Sequence, residues 1–219
     1  MHGMIVTIDG PAGAGKSTVA RALARRLGYR YLDTGAMYRA VALAGLQAGV
    51  DWKRPEQLAE LAASLDLRVS AARIYLQGED VTEAVRSQAV TSVTRYAANH
   101  PQVRAHLVQL QQAVAAGQDI VTEGRDQGTV VFPLAECKIF LTAGPEERAR
   151  RRQRDLHERG EPATLEEILA AQERRDSEDA SREVGPLLRA EDAVEVLTDG
   201  LTQDQVVDRL EELVRQRMG

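Results

Sequence analysis

Residues 4–17 read MIVTIDGPAGAGKS, and the fold turns on how this stretch changes character at Gly10. Met4–Asp9 is short, apolar and rich in β-branched residues, the composition of a strand buried on both faces of a parallel sheet. Gly10 to Ser17 matches G-x-x-x-x-G-K-[S/T]. From Lys16 onward apolar residues fall at helical spacing (Val19, Ala22, Leu23, Leu27) until Gly28 stops the pattern. A strand, a glycine-rich turn and a helix N-terminus in that order cradle phosphate oxygens. Glycine lets backbone N–H groups come close where a Cβ would obstruct them. The helix end adds free donors and the positive pole of its dipole.

Gly10, Pro11, Ala12, Gly13, Ala14, Gly15, Lys16, Ser17 and Thr18 are therefore the candidates for binding the phosphates of ATP. Lys16 suits the β- and γ-phosphates, and the Ser17 hydroxyl suits Mg²⁺. Such a loop does not by itself separate a phosphotransferase from a GTPase or a motor, but the base-reading N-K-x-D of GTPases is missing from the sequence.

Further along, strand and helix patterns alternate. Tyr29–Leu32, Asp119–Thr122, Cys137–Leu141 and Ala193–Leu197 read as strands. Tyr38–Ala48, Gln102–Ala116, Glu146–Glu158 and Gln203–Arg217 read as helices. This rhythm predicts a parallel sheet covered on both faces. Two stretches interrupt it. Asp66–Val81 holds the alternating runs LRVS and IYLQ, which predict a small antiparallel insertion. Arg159–Arg189 is charged, with Gly160, Pro162, Gly185 and Pro186 placed around one helix, and reads as a mobile excursion.

Composition narrows the function. The 219 residues carry a net charge of −5, which argues against nonspecific nucleic-acid binding. No apolar run reaches transmembrane length, and the single cysteine, Cys137, excludes an intrachain disulfide; a soluble protein of the reducing cytoplasm is expected. Cys137 lies in an apolar run and reads as an inert thiol. His2, His100, His106 and His157 lack metal-ligand spacing. Lysine occurs only at 16, 53 and 138, so 25 of the 28 basic residues are arginine, whose fork suits phosphate, although a bias of the source genome gives the same count.

Two more motifs follow predicted strands, where ligands bind in open parallel sheets. One is DTGAMYR (Asp33–Arg39), which also reads as a helix cap followed by a solvated arginine. The other is EGRDQGT (Glu123–Thr129), where two glycines bracket an arginine and two acids. Arg148, Arg150, Arg151, Arg152, Arg154 and Arg159 crowd twelve residues, with Arg174, Arg175 and Arg182 beyond. Glu146–Arg150 and Glu147–Arg151 at i,i+4 account for part of this as a solvated helix; at least two of these arginines are expected on phosphates.

Together these motifs resemble those of bacterial cytidylate kinases. The likeness runs in order through the P-loop, DTGAMYR, GEDVTEAVR (Gly78–Arg86), HPQVR (His100–Arg104), EGRDQGTVVFP (Glu123–Pro133), KIFLTAGPEERARRR (Lys138–Arg152) and R-D-x-x-D-x-x-R (Arg175–Arg182). It spans nearly the whole chain, and GEDVT and GRDxGTVVFP are more specific than any P-loop. The resemblance implies one α/β domain over residues 1–219, three-layered, with a five-stranded parallel sheet. It also implies a nucleoside-monophosphate (NMP) binding insertion around Trp52–Arg86 and a short lid around Arg154–Arg175. The implied activity is ATP- and Mg²⁺-dependent phosphorylation of CMP and dCMP by a monomer with no polymer or membrane partner. Lys16, Arg125 and Arg151 would be catalytic. Arg39 and Arg125 would grip the acceptor phosphate beside Thr34. Arg104, Asp126 and Arg182 would read cytosine, and Arg175 with Asp179 would hold the ribose. Asp33 is a candidate to orient Mg²⁺-bound water. Where the family commonly places a base-contacting serine, in S-x-V-A-x-x-P-x-V-R, this chain has Arg95, with Ser92 and Thr94 nearby; Arg95 is expected to turn out to solvent.

Two other readings share the P-loop. A shikimate-type kinase would need a carboxylate to take the hydroxyl proton, and Asp33 is its only candidate. A non-catalytic ATP-binding module would have no use for acceptor-side arginines.

Overall fold

β1 (Ile5–Asp9) is hydrogen-bonded along both edges and buried on both faces, which is why it is mostly apolar, with only Thr7 and Asp9 polar. The computed structural model describes residues 3–70, 73–158 and 160–218. After β1 come α1 (Lys16–Leu27), β2 (Arg30–Asp33), α2 (Thr34–Gln47), α3 (Pro55–Ser64), β3 (Leu67–Ser70), β4 (Arg73–Leu76) and β5 (Glu79–Asp80). Next are α4 (Gln88–Asn99), α5 (Pro101–Ala115), β6 (Ile120–Gly124), β7 (Cys137–Thr142), α6 (Pro145–Glu158), α7 (Leu165–Ala180), β8 (Val194–Leu197) and α8 (Gln203–Met218). Five strands form an all-parallel sheet in the order β2-β6-β1-β7-β8. The expected α/β architecture is thus what the chain adopts.

Side chains alternate across this sheet and divide the interior in two. Val6, Ile8, Tyr31, Val121, Ile139 and Val196 meet Val19, Ala20 and Leu23 of α1 and Val207, Leu210 and Val214 of α8. Leu32 and Ile120 point the other way, into a core with Met37 and Val41 of α2, Leu58 of α3 and Leu107 of α5. The predicted antiparallel insertion is the sheet β3-β4-β5, which docks on this second core through Leu67, Ile74 and Leu76. Trp52 stacks on Tyr96 of α4, ring centroids 5.1 Å apart, at the margin of the same core. Cys137 is buried, which pushes its thiol up to about 11, as an inert thiol should behave.

Three local expectations need correction. α2 starts at Thr34, four residues before the expected Tyr38, because the Asp33 carboxylate accepts from the Ala36 N–H at 2.8 Å and caps the helix. α3 and α4 were not read from the sequence. α4 buries only Val90 and Ala97, too few apolar positions to show a stripe, and starts from a Ser87 cap. EGRDQGT is not an open loop: β6 runs through Gly124, and Gln127–Val131 makes one π-turn, with Phe132 N–H donating to Gln127 O at 2.7 Å. His2 and Arg159, counted above, and the tip between β3 and β4 lie outside the described residues. Among the described residues no helix is long and apolar enough to cross a membrane.

Leu23 is fully buried between α1 and the sheet. Leu23→Ala should cost about 2–5 kcal/mol, read as a lower urea midpoint at unchanged m-value. A loss under about 1 kcal/mol would mean that α1 does not pack as described.

Candidate active site

The C-terminal ends of β2, β6 and β1 lie nearly level, with Asp33 opposite Glu123 and Asp9 opposite both Gly124 and Phe140, while β7 runs two residues further. The phosphate-loop residues leave this edge at Gly10, whose φ of +148° suits glycine and where a Cβ would collide with the Leu141 carbonyl oxygen. Gly15 then opens α1 without any side chain capping its first N–H groups. Ser17 and Thr18 are exposed there. Lys16 is 5% exposed and folds back, Nζ donating to Pro11 O at 2.7 Å. Burial first, and then the charge of Arg125, lower its pKa to about 7, against the support of Glu123 and Asp9. An ammonium so short of counter-charge is a site prepared for an anion.

Asp9, which sequence reading passed over as the last residue of a strand, sits beneath the turn that follows β6. Its carboxylate accepts from Gln127 N–H at 2.9 Å and Gly128 N–H at 2.7 Å, pinning the π-turn that follows Arg125 and Asp126. Burial raises its pKa to about 6; the two N–H donors and Lys16 work against that shift, and neighbouring Asp126 adds to it. An acid ending a strand before a glycine was the available signal.

The predicted acceptor residues converge. Arg39 pairs with its own helix cap, Asp33, at 3.2 Å, and Thr34 donates to Glu123 O at 2.6 Å. Of the two readings of DTGAMYR, the helix cap is observed at Asp33, while Arg39 is half-buried against that cap rather than solvated. Arg104 and Asp126 form a buried ion pair, with the Arg104 guanidinium over the Tyr38 ring at 5.4 Å. Arg125 Nε donates to Asp179 at 2.6 Å, Arg182 pairs with the other Asp179 oxygen, and Arg182 Nε donates to Asn99 at 2.8 Å. Burial tends to raise the Asp179 pKa, but Arg125 and Arg182 outweigh it and hold the carboxyl low. Arg175 is exposed on α7. Crowding by protein atoms first, then the charges of Arg125, Arg182 and Arg39, depress its pKa despite Asp179. Gly185, at φ +64°, lies directly on the Arg104–Asp126 pair, where a Cβ would collide with both side chains.

The arginine-rich helix divides its work. Glu146–Arg150 and Glu147–Arg151 form as expected, at 3.2 Å and 3.0 Å. Arg151 also donates to Thr198 Oγ1 at 3.0 Å and lies beside Gly15, at the donor end of the site. Arg148, given no individual role above, is buried and holds Ala12 O of the loop at 3.0 Å and Asp176 of α7 at 2.6 Å. Arg95 is exposed and lies over the Tyr96 ring at 5.1 Å, turned to solvent as expected. Among the described residues no cluster of three His, Cys, Asp or Glu side chains offers a metal cage. A Mg²⁺ arriving with a nucleotide fits instead the exposed Ser17 hydroxyl at the uncapped helix end, a hard oxygen donor beside a phosphate cradle.

Comparison with known proteins agrees with this geometry. The family model described as Cytidylate kinase matches residues 6–216. The chain is 54% identical over 213 residues to a cytidylate kinase of Rhodopirellula baltica, covering 97% of this chain and 93% of that protein. It is 46% identical to one from Geobacter sulfurreducens, covering 99% and 94%. Among solved structures, TT1252 from Thermus thermophilus shares the fold at 22% identity and a TM-score of 0.50, both chains covered in full.

Asp9→Asn should change how stability depends on pH. The folded carboxyl titrates near 6 and the unfolded one near 3.8. Its contribution is therefore full below 3.8 and is lost as pH rises through 6. Wild type should lose stability relative to the variant between those limits, measured by urea unfolding at both. A pH-independent difference would place Asp9 in a more solvated site than described.

Proposed function

The chain belongs to the cytidylate kinase family, and from that premise we propose how its residues share the transfer of the γ-phosphoryl group of ATP to CMP or dCMP, giving CDP or dCDP. The observation that carries the assignment of roles is the crowding of Arg125 and Arg175 about the buried Lys16, with Arg39 and Arg182 gathered in turn around Arg175. Like charges this crowded are unfavourable alone and become favourable around a dianion.

ATP lies along residues 10–18, with Lys16 at its β- and γ-phosphates and Arg151 beside the migrating group. Ser17 would hold the Mg²⁺ that arrives with the nucleotide, which would supply charge neutralisation. Arg39 and Arg125, with Thr34 alongside, clamp the acceptor phosphate. Arg175 and Asp179 take the ribose, and Arg104, Asp126 and Arg182 the cytosine. The acceptor phosphate, with a second pKa near 6, is already ionised at neutral pH, so no general base is needed. What the protein supplies is alignment of two polyanions and positive charge in a space closed to water. The segment 52–86 serves as the NMP-binding insertion and 154–175 as the lid. The single buried thiol suits a reducing cytoplasm. A hydroxyl acceptor is disfavoured because Asp33, its only candidate base, is committed to Ala36 N–H and Arg39.

Cytosine carries an N4 amino donor that matches Asp126, where uracil presents a carbonyl. An unmatched buried acceptor costs about 1–3 kcal/mol, enough for strong selection. With Arg95 turned away, kcat/KM should favour CMP and dCMP over UMP by at least about tenfold. The ratio should be unchanged in Arg95→Ser. ADP release measured across CMP, dCMP, UMP, AMP and shikimate tests this; comparable turnover of UMP or shikimate would overturn it.

Arg125→Ala should lower kcat/KM for CMP roughly 10- to 100-fold, since it removes a charged hydrogen bond from the acceptor phosphate. ATP affinity should hold. Loss of ATP affinity with CMP affinity retained would put Arg125 on the donor side.

A further inference from the structure

We propose that Arg148 and Asp176 form a positioning pair that locks α7 to the phosphate loop, so that acceptor binding answers to whether the loop is filled. The inference rests on the division of donor and acceptor residues given above.

Arg148 is 5% exposed and spends its fork on three acceptors from three parts of the chain. Nε donates to Ala143 O at 3.1 Å, just beyond β7. Nη1 donates to Ala12 O in the loop at 3.0 Å and to Asp176 Oδ2 on α7 at 2.6 Å. A loop carbonyl turned towards a phosphate would repel it. By taking the Ala12 carbonyl, Arg148 favours the arrangement in which loop N–H groups face the cradle. The same guanidinium group then ties that arrangement to α7.

α7 touches the loop a second time. Gln172, one turn before Asp176, is buried, donates to Pro145 O at 3.2 Å and packs towards Gly13. One turn beyond Asp176, Asp179 on the same stripe holds Arg125 and Arg182. A single helix thus packs towards the loop at Gln172, is tied to it through Arg148 at Asp176, and holds Arg125 and Arg182 at Asp179. The second carboxylate oxygen, Asp176 Oδ1, is buried and has no hydrogen-bond partner among the described residues.

The test measures CMP affinity of the full chain by calorimetry, alone and with a saturating non-hydrolysable ATP analogue plus Mg²⁺. In wild type the analogue should tighten CMP binding by at least about fivefold, the lower end of ordinary coupling between sites. Asp176→Asn should bring that ratio to within about twofold of one, while CMP affinity without analogue and the analogue's own affinity stay within about threefold of wild type. Asp176→Glu, which keeps the charge, should restore the ratio. If Asp176→Asn is too unstable to assay, Arg148→Lys keeps a charge opposite Asp176 but lacks the fork that reaches Ala12, and should also lose the ratio. A merely structural pair would lower stability and leave the ratio intact. A ratio of one in wild type, or an undiminished ratio in the variants, overturns the proposal. Failure of wild type to bind CMP at all would instead refute the functional reading on which it rests.

Discussion

The parallel register that sets Asp9 opposite Gly124 and Phe140 is the constraint from which the site is built. Because β1 and β6 end level and β7 runs only two residues further, the phosphate loop, the Arg125–Asp126 turn and the segment leading to α6 emerge along one edge. A slip of one residue in β6 would carry the Gln127 and Gly128 N–H groups away from the Asp9 carboxylate. Their order is therefore enforced from below, by a buried anion, as well as by the ladder itself. Gly10 adds a constraint of space, since only a residue without Cβ passes beneath the Leu141 carbonyl.

Above that edge the charges are arranged for a guest. Asp179 serves both Arg125 and Arg182, Asp126 serves Arg104, and Asp33 serves Arg39. These pairs keep the guanidinium groups ordered without fully neutralising the cluster, and Arg175 is left to the crowd. Preorganised donors of this kind lower the reorganisation needed when an anion enters. Lysine would serve poorly in most of these places, because a single ammonium cannot hold a carboxylate and also present a planar fork to a phosphate.

How much of this could be read beforehand depended on how local each feature was. The strand–loop–helix of residues 4–27 is written in consecutive residues, and so are the other sheet strands, found within about two residues of expectation. α2 was misplaced at its start because the ligand-binding reading of DTGAMYR competed with the helix-cap reading, and the Asp33 carboxylate–amide bond realises the latter. α4 escaped notice because only two of its residues are buried. The motifs predicted which arginines gather, but not which acid each would hold. The Arg125–Asp179 pair joins residues 54 apart, and Arg148 joins the loop 136 residues away at Ala12. Asp9 was hidden in plain view, because its role depends on a turn more than a hundred residues downstream.

The chain contains a single tryptophan, Trp52, stacked on Tyr96 and set between the first residues of the insertion and α4. Tyr96 also carries Arg95 across its ring, and α4 ends at Asn99, which receives a hydrogen bond from Arg182. Indole emission in this protein therefore originates from one locus, at the junction between the insertion and the helix that touches the acceptor side. Stacking against a phenol with a cation nearby makes that emission sensitive to small changes in ring separation. The fold thus contains its own optical gauge of the Trp52–Tyr96 separation, with no dye to attach and no second chromophore of its kind to subtract.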